Sequence, residues 1–367
     1  MERHICLLAQ LCAGTGSQIT LVTTSNSLNE TWRREMGGTN VRLKELPIER
    51  GQAGSLTKSL WLFQTVIRLK SLHWDVIYSN GQSGLAQLSW MARGTNTRII
   101  HHHHTAADEK EQTTWSSSFR SVLKSAPELV GCSQSTCERL RNALRRDGTT
   151  FLPYLTDDLG GLSEEISERT YSANDTLNFG FVGRLTLSKG IDTICALSEM
   201  PELGHIRWHI YGEGEEYPSS WFDRFPRVLW HGRYKTKEQY SKILESLDAL
   251  VLLSRHNEGM PLSLIEAMSA GMPWIATDQG GTRELALREE NCVLIPAGAT
   301  LEEISSQVAL FAKKIQHGHT SRKTQRSSYD TAFSPRTAGA LWLRYFGVTN
   351  ATSKASLIGS GVGSLHR

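Results

Sequence analysis

No uninterrupted run of about 18 apolar side chains occurs in this chain, so no stretch reads as a membrane-crossing helix. Cysteine is scarce. The six residues Cys6, Cys12, Cys132, Cys137, Cys195 and Cys292 show neither CxxC nor zinc-like spacing, which argues against a zinc module. Several lie in apolar runs, where free cysteine behaves as a small hydrophobe, and a reducing, cytoplasmic compartment is the default reading. Charge of either sign is nearly balanced: a net +3 is too small for a nucleic-acid binder. No GxGxxG follows a first strand, which disfavours a dinucleotide oxidoreductase, and there is no internal repeat. A signal peptide is also set aside. ICLLAQLCA is interrupted by Gln10, follows the mixed-charge MERH, and places Ile5, Leu8, Ala9 and Cys12 at helical spacing.

The 367 residues suffice for two domains with separate cores, and 39% hydrophobic with 21% charged residues is ordinary for a globular chain. Residues 1–160 hold 18 basic and 14 acidic side chains, about +4, so an anionic partner should meet the first half. RLRNALRR, Arg139 to Arg146, is the densest basic cluster: a solvated helix face, or in the sharper reading a peripheral contact with an anionic membrane.

Residues 249–281, ALVLLSRHNEGMPLSLIEAMSAGMPWIATDQGG, organise the rest. Ala249–Leu253 is short and apolar enough for a strand buried on both faces. A polar loop follows, and Pro261 is well placed as a first helical residue. Gly271 closes that helix and Trp274–Thr277 is the next strand, completing a βαβ unit. Glu258 lies in the loop ahead of the helix. Glu266 projects from the edge of the arc marked by Leu262, Leu264, Ile265 and Met268. The free N–H groups of a first helical turn suit a phosphate, and a carboxylate on each side could bind flanking sugar hydroxyls. The plain alternative is an ordinary crossover with two surface glutamates.

EGMPLSLIEAMSAGMPWIATDQGG resembles the family-4 retaining glycosyltransferases of GT-B fold, in which this segment holds a nucleotide-sugar donor. The resemblance implies an α/β chain of two Rossmann-like domains facing each other across a cleft. The acceptor-side domain would span 1–155, a linker 156–176, and the donor domain 177–330. A helix over 331–346 would cross back, and a Gly/Ser-rich tail, 347–367, would be disordered.

In the first half, residues 3–15 read as a helix and Gln18–Thr24 as a strand, an order lacking the strand and Gly-Gly loop with which the resembled family begins. Either the true start lies upstream or that strand is absent. Helices over Ser59–Leu72 and Gly84–Arg93 alternate with strands at Trp74–Asn80 and Thr97–Ile100. The last strand runs into His101, His102, His103 and His104. Alternate residues of an extended segment face opposite ways, so at most His102 and His104 share a face, with no third metal ligand marked. The resemblance implies a histidine here that hydrogen-bonds the donor sugar, His104 before His102. Ser133 is either the family's serine near the crossing or simply a helix cap.

In the second half, Phe179–Val182 is a strand, followed by Gly183, Arg184 and Lys189 in a loop before a helix near Ile191. Cations at the carboxyl edge of a parallel sheet sit where ligands bind in such folds and suit a diphosphate. The GRL-x(3)-KG setting resembles the family's phosphate-binding pair; as isolated residues they would be solvated charges. Gly212 and Gly214 form a turn after the strand in IRWHIY, which the resemblance places at the nucleotide end of the cleft. A further helix is expected near Thr282.

The resemblance thus implies transfer of a sugar from a nucleoside-diphosphate sugar to a sugar or lipid-linked acceptor, with retention, in surface polysaccharide or glycolipid synthesis at the inner face of the cytoplasmic membrane. Arg184, Lys189, Glu258 and His104 would be catalytic. Gly183, Gly212, Gly259, Met260, Pro261, Leu262 and Glu266 would bind the donor. No cofactor and no metal are expected, in keeping with the absence of a DxD pair. Rival readings are a GT-B epimerase or phosphorylase, the latter lacking its cofactor-lysine context. From another class comes a truncated, non-catalytic paralogue that binds nucleotide sugar.

Overall fold

The computed structural model describes residues 2–25, 30–37, 39–49, 54–82, 84–160, 167–172 and 175–348. They pack as two compact units, one of residues 54–338 and one of 2–53 with 339 onward.

In the smaller unit, α1 (Glu2–Gly14), β1 (Ile19–Ser25), α2 (Glu30–Gly37) and β2 (Val41–Glu49) follow in order. The strands pair in parallel, Ile19 opposite Val41, over a core of Cys6, Ala9, Ala13, Met36 and Val41. The helical spacing read at Ile5–Cys12 is therefore that of an amphipathic helix, with Cys6, Leu8, Ala9 and Cys12 on its buried side. Arg3 on α1 pairs with Glu35 on α2 at 2.5 Å.

The larger unit begins with α3 (Ser55–Leu69), β3 (Val76–Asn80), α4 (Leu85–Ser89) and β4 (Arg98–His103). Then come α5 (Glu109–Thr114), α6 (Ser117–Ser125), β5 (Glu128–Gly131), α7 (Gln134–Leu144) and β6 (Thr149–Phe151). The four strands form one parallel sheet in sequence order. The histidine run does not follow β4 but forms its end: His101, His102 and His103 are strand residues and buried. They are buried because flanking strands cover both edges and α6 supplies Phe119 to one face.

The basic cluster Arg139 to Arg146 is only partly displayed: Arg145 is exposed, while Arg139, Arg141 and Arg146 are half-buried. Arg139 donates to the Ala106 carbonyl and Arg141 to Thr149 Oγ1, while Arg146 donates to the Leu123 and Ala126 carbonyls. These bonds fix three of the guanidinium groups in place while each keeps its charge.

The rest of the larger unit comprises β7 (Leu177–Val182), α8 (Ile191–Glu199), β8 (Ile206–Tyr211), α9 (Ser219–Phe222), β9 (Val228–Gly232) and α10 (Lys237–Ser246). It continues through β10 (Ala249–Leu252), α11 (Leu262–Ser269), β11 (Trp274–Thr277), β12 (Cys292–Ile295), α12 (Leu301–Gln316) and α13 (Arg322–Ala332). The last helix, α14 (Pro335–Phe346), contributes Gly339 onward to the smaller unit. The expected tail lies outside the described residues from 349 on, and so do 161–166 and 173–174 of the expected linker.

All six strands from β7 to β12 are parallel, in the order β12-β11-β10-β7-β8-β9. This is the doubly wound order, whose direction reverses between β7 and β10, and ligands bind at the carboxyl ends of the strands beside such a reversal. β7, β10 and β11 are apolar runs because helices cover both sheet faces; Phe179, Trp208, Trp274 and Phe311 fill the core. All six cysteines are buried as free thiols.

Candidate active site

Two loops leave the sheet at the reversal. The first follows β7. Gly183 N–H donates to the Tyr211 carbonyl at 3.0 Å, which turns the chain out of the strand. Arg184 is exposed on this turn, and a 3-10 turn, Leu187–Lys189, carries the second cation into α8. The second loop follows β10. Here Glu258 is buried, and its Oε1 accepts from Lys189 Nζ at 2.6 Å and from Ser254 Oγ at 2.5 Å. His256 Nε2 lies 3.6 Å from the same oxygen. Among the described residues nothing bonds Oε2, which leaves that oxygen to a ligand.

The backbone at Glu258 is held as firmly as its side chain. It forms an isolated parallel bridge with Gly280, and Gly281 N–H donates to the Glu258 carbonyl at 2.9 Å. Gly280 has φ +62°, and a Cβ there would lie 2.0 Å from the Glu258 carbonyl oxygen, so only glycine fits. The helix expected near Thr282 is a 3-10 turn, Gly281–Leu285, because this close approach pins its start.

α11 starts at Leu262, one residue later than expected. Pro261 is the cap residue rather than the first helical one: its ψ of 104° is extended, while its carbonyl already accepts from Leu264 N–H. No side chain caps this end. The N–H groups of Leu262 and Ser263, which have no intrahelical acceptor, thus remain available to an anion. At the opposite end, Arg326 and Arg322 from α13 donate to the Ser269 and Ala270 carbonyls, cations where the helix dipole favours them. Glu266 is half-buried on α11 and accepts from Tyr240 Oη at 3.1 Å. Tyr240 stacks on Tyr234 with centroids 4.5 Å apart. Burial, then the Glu266 charge, raises the Tyr240 hydroxyl well above its ordinary pKa, so it stays a donor.

Of the histidines, His102 and His104 share a face, their ring centroids 4.0 Å apart. His104 lies parallel to Tyr154, with Nδ1 3.0 Å from its hydroxyl. The opposite face takes His101, beside Ser79, Trp90 and Phe119, and His103, which contacts Glu111. Burial, then the charge of His103, brings His101 down to about 3. His104 also meets the Glu258 loop: a Cβ on Gly259 would lie 3.0 Å from the His104 carbonyl oxygen and 2.9 Å from Cys132 Sγ. Met260 is buried behind Gly259. The same seam holds Asn257 Nδ2 to Asp108 at 2.7 Å, and Glu284 bridges the N–H groups of Gln134 and Ser135, both at 2.8 Å. Ser133 caps α7 by accepting from Thr136 N–H.

Gly212 is placed by a bond from its N–H to the Gly232 carbonyl at 2.8 Å. The fold therefore brings Lys189, Glu258, Gly259 and the start of α11 together beside the reversal, with His104 against the same loop and Arg184 exposed on the loop that carries Lys189. Sequence reasoning did not single out Ser254, four residues from the Glu258 it orients, or Tyr240 and Tyr154, which reach Glu266 and His104 across long separations. A cavity of about 550 Å³ lies along the ends of β10, β11 and β12 against α8. It shares Ser254 with this cluster but none of the expected site residues line it. Among the described residues no three His, Cys, Asp or Glu side chains converge as metal ligands.

Comparisons with known proteins meet on these elements. The family described as "Glycosyl transferases group 1" matches residues 176–314, and "Glycosyl transferase 4-like domain" matches 1–154. A GDP-mannose-dependent alpha-mannosyltransferase of Mycobacterium tuberculosis is 29% identical over 145 residues, 40% of this chain but only 37% of that protein. Anabaena Alr3699/HepE, solved in complex with UDP and glucose, superposes with TM-score 0.70 at 16% identity, covering 95% of this chain and 96% of its own. A Rickettsia africae glycosyltransferase gives 0.73 at 13%, covering 94% and 93%. A sucrose-phosphate synthase of Thermosynechococcus elongatus gives 0.70 at 18%, covering 93% and 92%. At such identities the structural likeness is one of fold.

Proposed function

We propose that this chain, which belongs to the group 1 glycosyltransferases of GT-B fold, moves a sugar from a nucleoside-diphosphate sugar to an acceptor hydroxyl with retention of anomeric configuration. The observation that carries the reading is the arrangement of Glu258. One carboxylate oxygen is occupied by Lys189 and Ser254 and the other has no partner among the described residues, beside an uncapped helix start.

Departure of the diphosphate leaves negative charge on its terminal phosphate and positive charge on the sugar. Arg184, Lys189 and the N–H groups at the start of α11 would stabilise the first where it develops. Glu258 Oε2 would hold the donor sugar's hydroxyls, and Glu266, oriented by Tyr240, the ribose hydroxyls. His104 would add a donor from the other side. These fixed charges would do the work a divalent metal does elsewhere, and we infer that neither metal nor cofactor is needed. Glu258 is tied down by a cation, which supports a positioning role over covalent attack and favours displacement on one face of the sugar. A sugar or lipid-linked acceptor, in polysaccharide or glycolipid synthesis, fits this chemistry.

The test is release of nucleoside diphosphate from GDP-mannose, UDP-glucose and ADP-glucose in the presence of simple glycoside acceptors, with product configuration read by NMR. Release from one donor with an α-linked product supports the reading. Folded protein that binds a donor but turns none over would favour the non-catalytic nucleotide-sugar binder instead.

A further inference from the structure

Helix α3 has two apolar faces, and only one is covered. Val66 and Leu69 are buried, packed with Leu62, Trp74 and Ile77. On the other side Leu56, Leu60, Phe63 and Ile67 are 73%, 58%, 43% and 57% exposed. At about 100° per residue these four fall within an arc of about 60°. Such a row of large apolar side chains is not scattered surface; it is an amphipathic face turned outwards. Met91, on the 3-10 turn Trp90–Ala92 beside α3, is exposed as well.

The charges within the α3 segment are of one sign. Exposed Lys70 flanks it on one side and exposed Arg68 on the other, and no Asp or Glu occurs between Gly54 and Trp74. An apolar ridge between cations fits a surface that is apolar within and anionic at its edge. A second copy of this chain fits poorly. A two-fold contact through this face would gather Arg68 and Lys70 of both copies at one interface with no acid in the segment to answer them. Among the described residues no helix is long and apolar enough to cross a membrane, so this helix would lie on a bilayer rather than span it.

We propose that α3 is an interfacial docking helix, which seats Leu56, Leu60, Phe63 and Ile67 below the headgroups of an anionic lipid surface while Arg68 and Lys70 meet phosphates. This contact is separate from the Arg139 cluster and stands independently of the donor site.

The experiment is flotation of the full chain with phosphatidylcholine vesicles, with and without phosphatidylglycerol, at low and high salt. The chain is expected to float with the anionic vesicles only, and less at high salt. Leu60→Ser/Phe63→Ser and Arg68→Glu/Lys70→Glu, which change exposed side chains and leave melting unchanged, should each reduce the bound fraction roughly ten-fold. Undiminished flotation of both variants would overturn the proposal. So would failure of the unaltered chain to float, or self-association in gel filtration that Leu60→Ser/Phe63→Ser abolishes.

Discussion

Lys189 Nζ lies 2.6 Å from Glu258 Oε1, which links the loop after β7 to the loop after β10 across the point where the strand order reverses. Both side chains are largely shielded, 19% and 10% exposed. Removing one partner leaves the other charge buried. Lys189→Met is therefore expected to cost about 3 kcal/mol of stability and Glu258→Gln less, because an amide still accepts from Ser254. A double-mutant cycle in urea should show coupling between the two sites; additive losses would mean the contact does not persist in solution.

Gly280 carries the backbone side of the same arrangement. With φ +62° and no room for a Cβ against the Glu258 carbonyl, Gly280→Ala should cost about 3 kcal/mol and pull Glu258 from its place. Nucleotide affinity should fall further than the melting temperature alone explains. An alanine variant that binds and melts like the parent would contradict the close approach.

Tyr240→Phe removes the hydroxyl that donates to Glu266 and little else. Loss of one charge-assisted hydrogen bond should weaken nucleoside binding about five- to ten-fold, with the fold intact. In a turnover assay the change should appear in KM for the donor rather than in kcat.

The acid side of the stability profile should carry the mark of His101. Its ordinary pKa of 6.5 is lowered to about 3, by burial first and the His103 charge second. Between those values the unfolded chain binds the proton and the folded chain does not, so stability is full above pH 6.5 and declines as pH falls towards 3. Glu111 loses its contribution lower. Burial would raise its pKa, but the hydrogen bonds and charge of His103, with Thr105 and Trp115, outweigh that and hold it at about 2, against an ordinary 4.5. Replacing His101 by Leu keeps Ser79 bonded to the Ile100 carbonyl and Trp90, and should make the urea midpoint fall less steeply between pH 6.5 and 4.5, where buried His4 and half-buried His209 still contribute. An unchanged slope would place the acid sensitivity elsewhere.

The strands of the larger unit were legible because burial on both faces writes them as apolar runs. Trp274–Thr277 has its expected bounds, and β7 and β10 are close to theirs. The βαβ unit that carries Glu258 and Glu266 was legible from its apolar pattern, while the donor-binding role of the two glutamates came from the resemblance of the segment. Other elements leave no such trace. Helix α13 buries Arg322, Gln325, Ser328 and Tyr329, a helical period written in polar side chains that a hydrophobic pattern passes over. The edge strand Cys292–Ile295 is only partly covered and follows a charged turn, so its four residues stood out poorly. Tyr240 and Tyr154 reach Glu266 and His104 across 26 and 50 residues, contacts that exist only once the chain has folded. In the Arg139 cluster the hydrogen bonds to the Ala106 and Leu123 carbonyls likewise leave no trace in the sequence pattern.

Binding of UDP, GDP and ADP by calorimetry, without divalent metal, tests the central claim most directly, with Arg184→Ala and Glu266→Ala as companions. Arg184 is exposed on its loop and Glu266 half-buried on α11, so both variants should fold. One nucleotide is expected to bind, and each substitution to weaken it roughly ten-fold or more through a lost charge-assisted contact. If folded protein binds none of the three, or binds one equally well in both variants, the donor site does not lie where Lys189 meets Glu258.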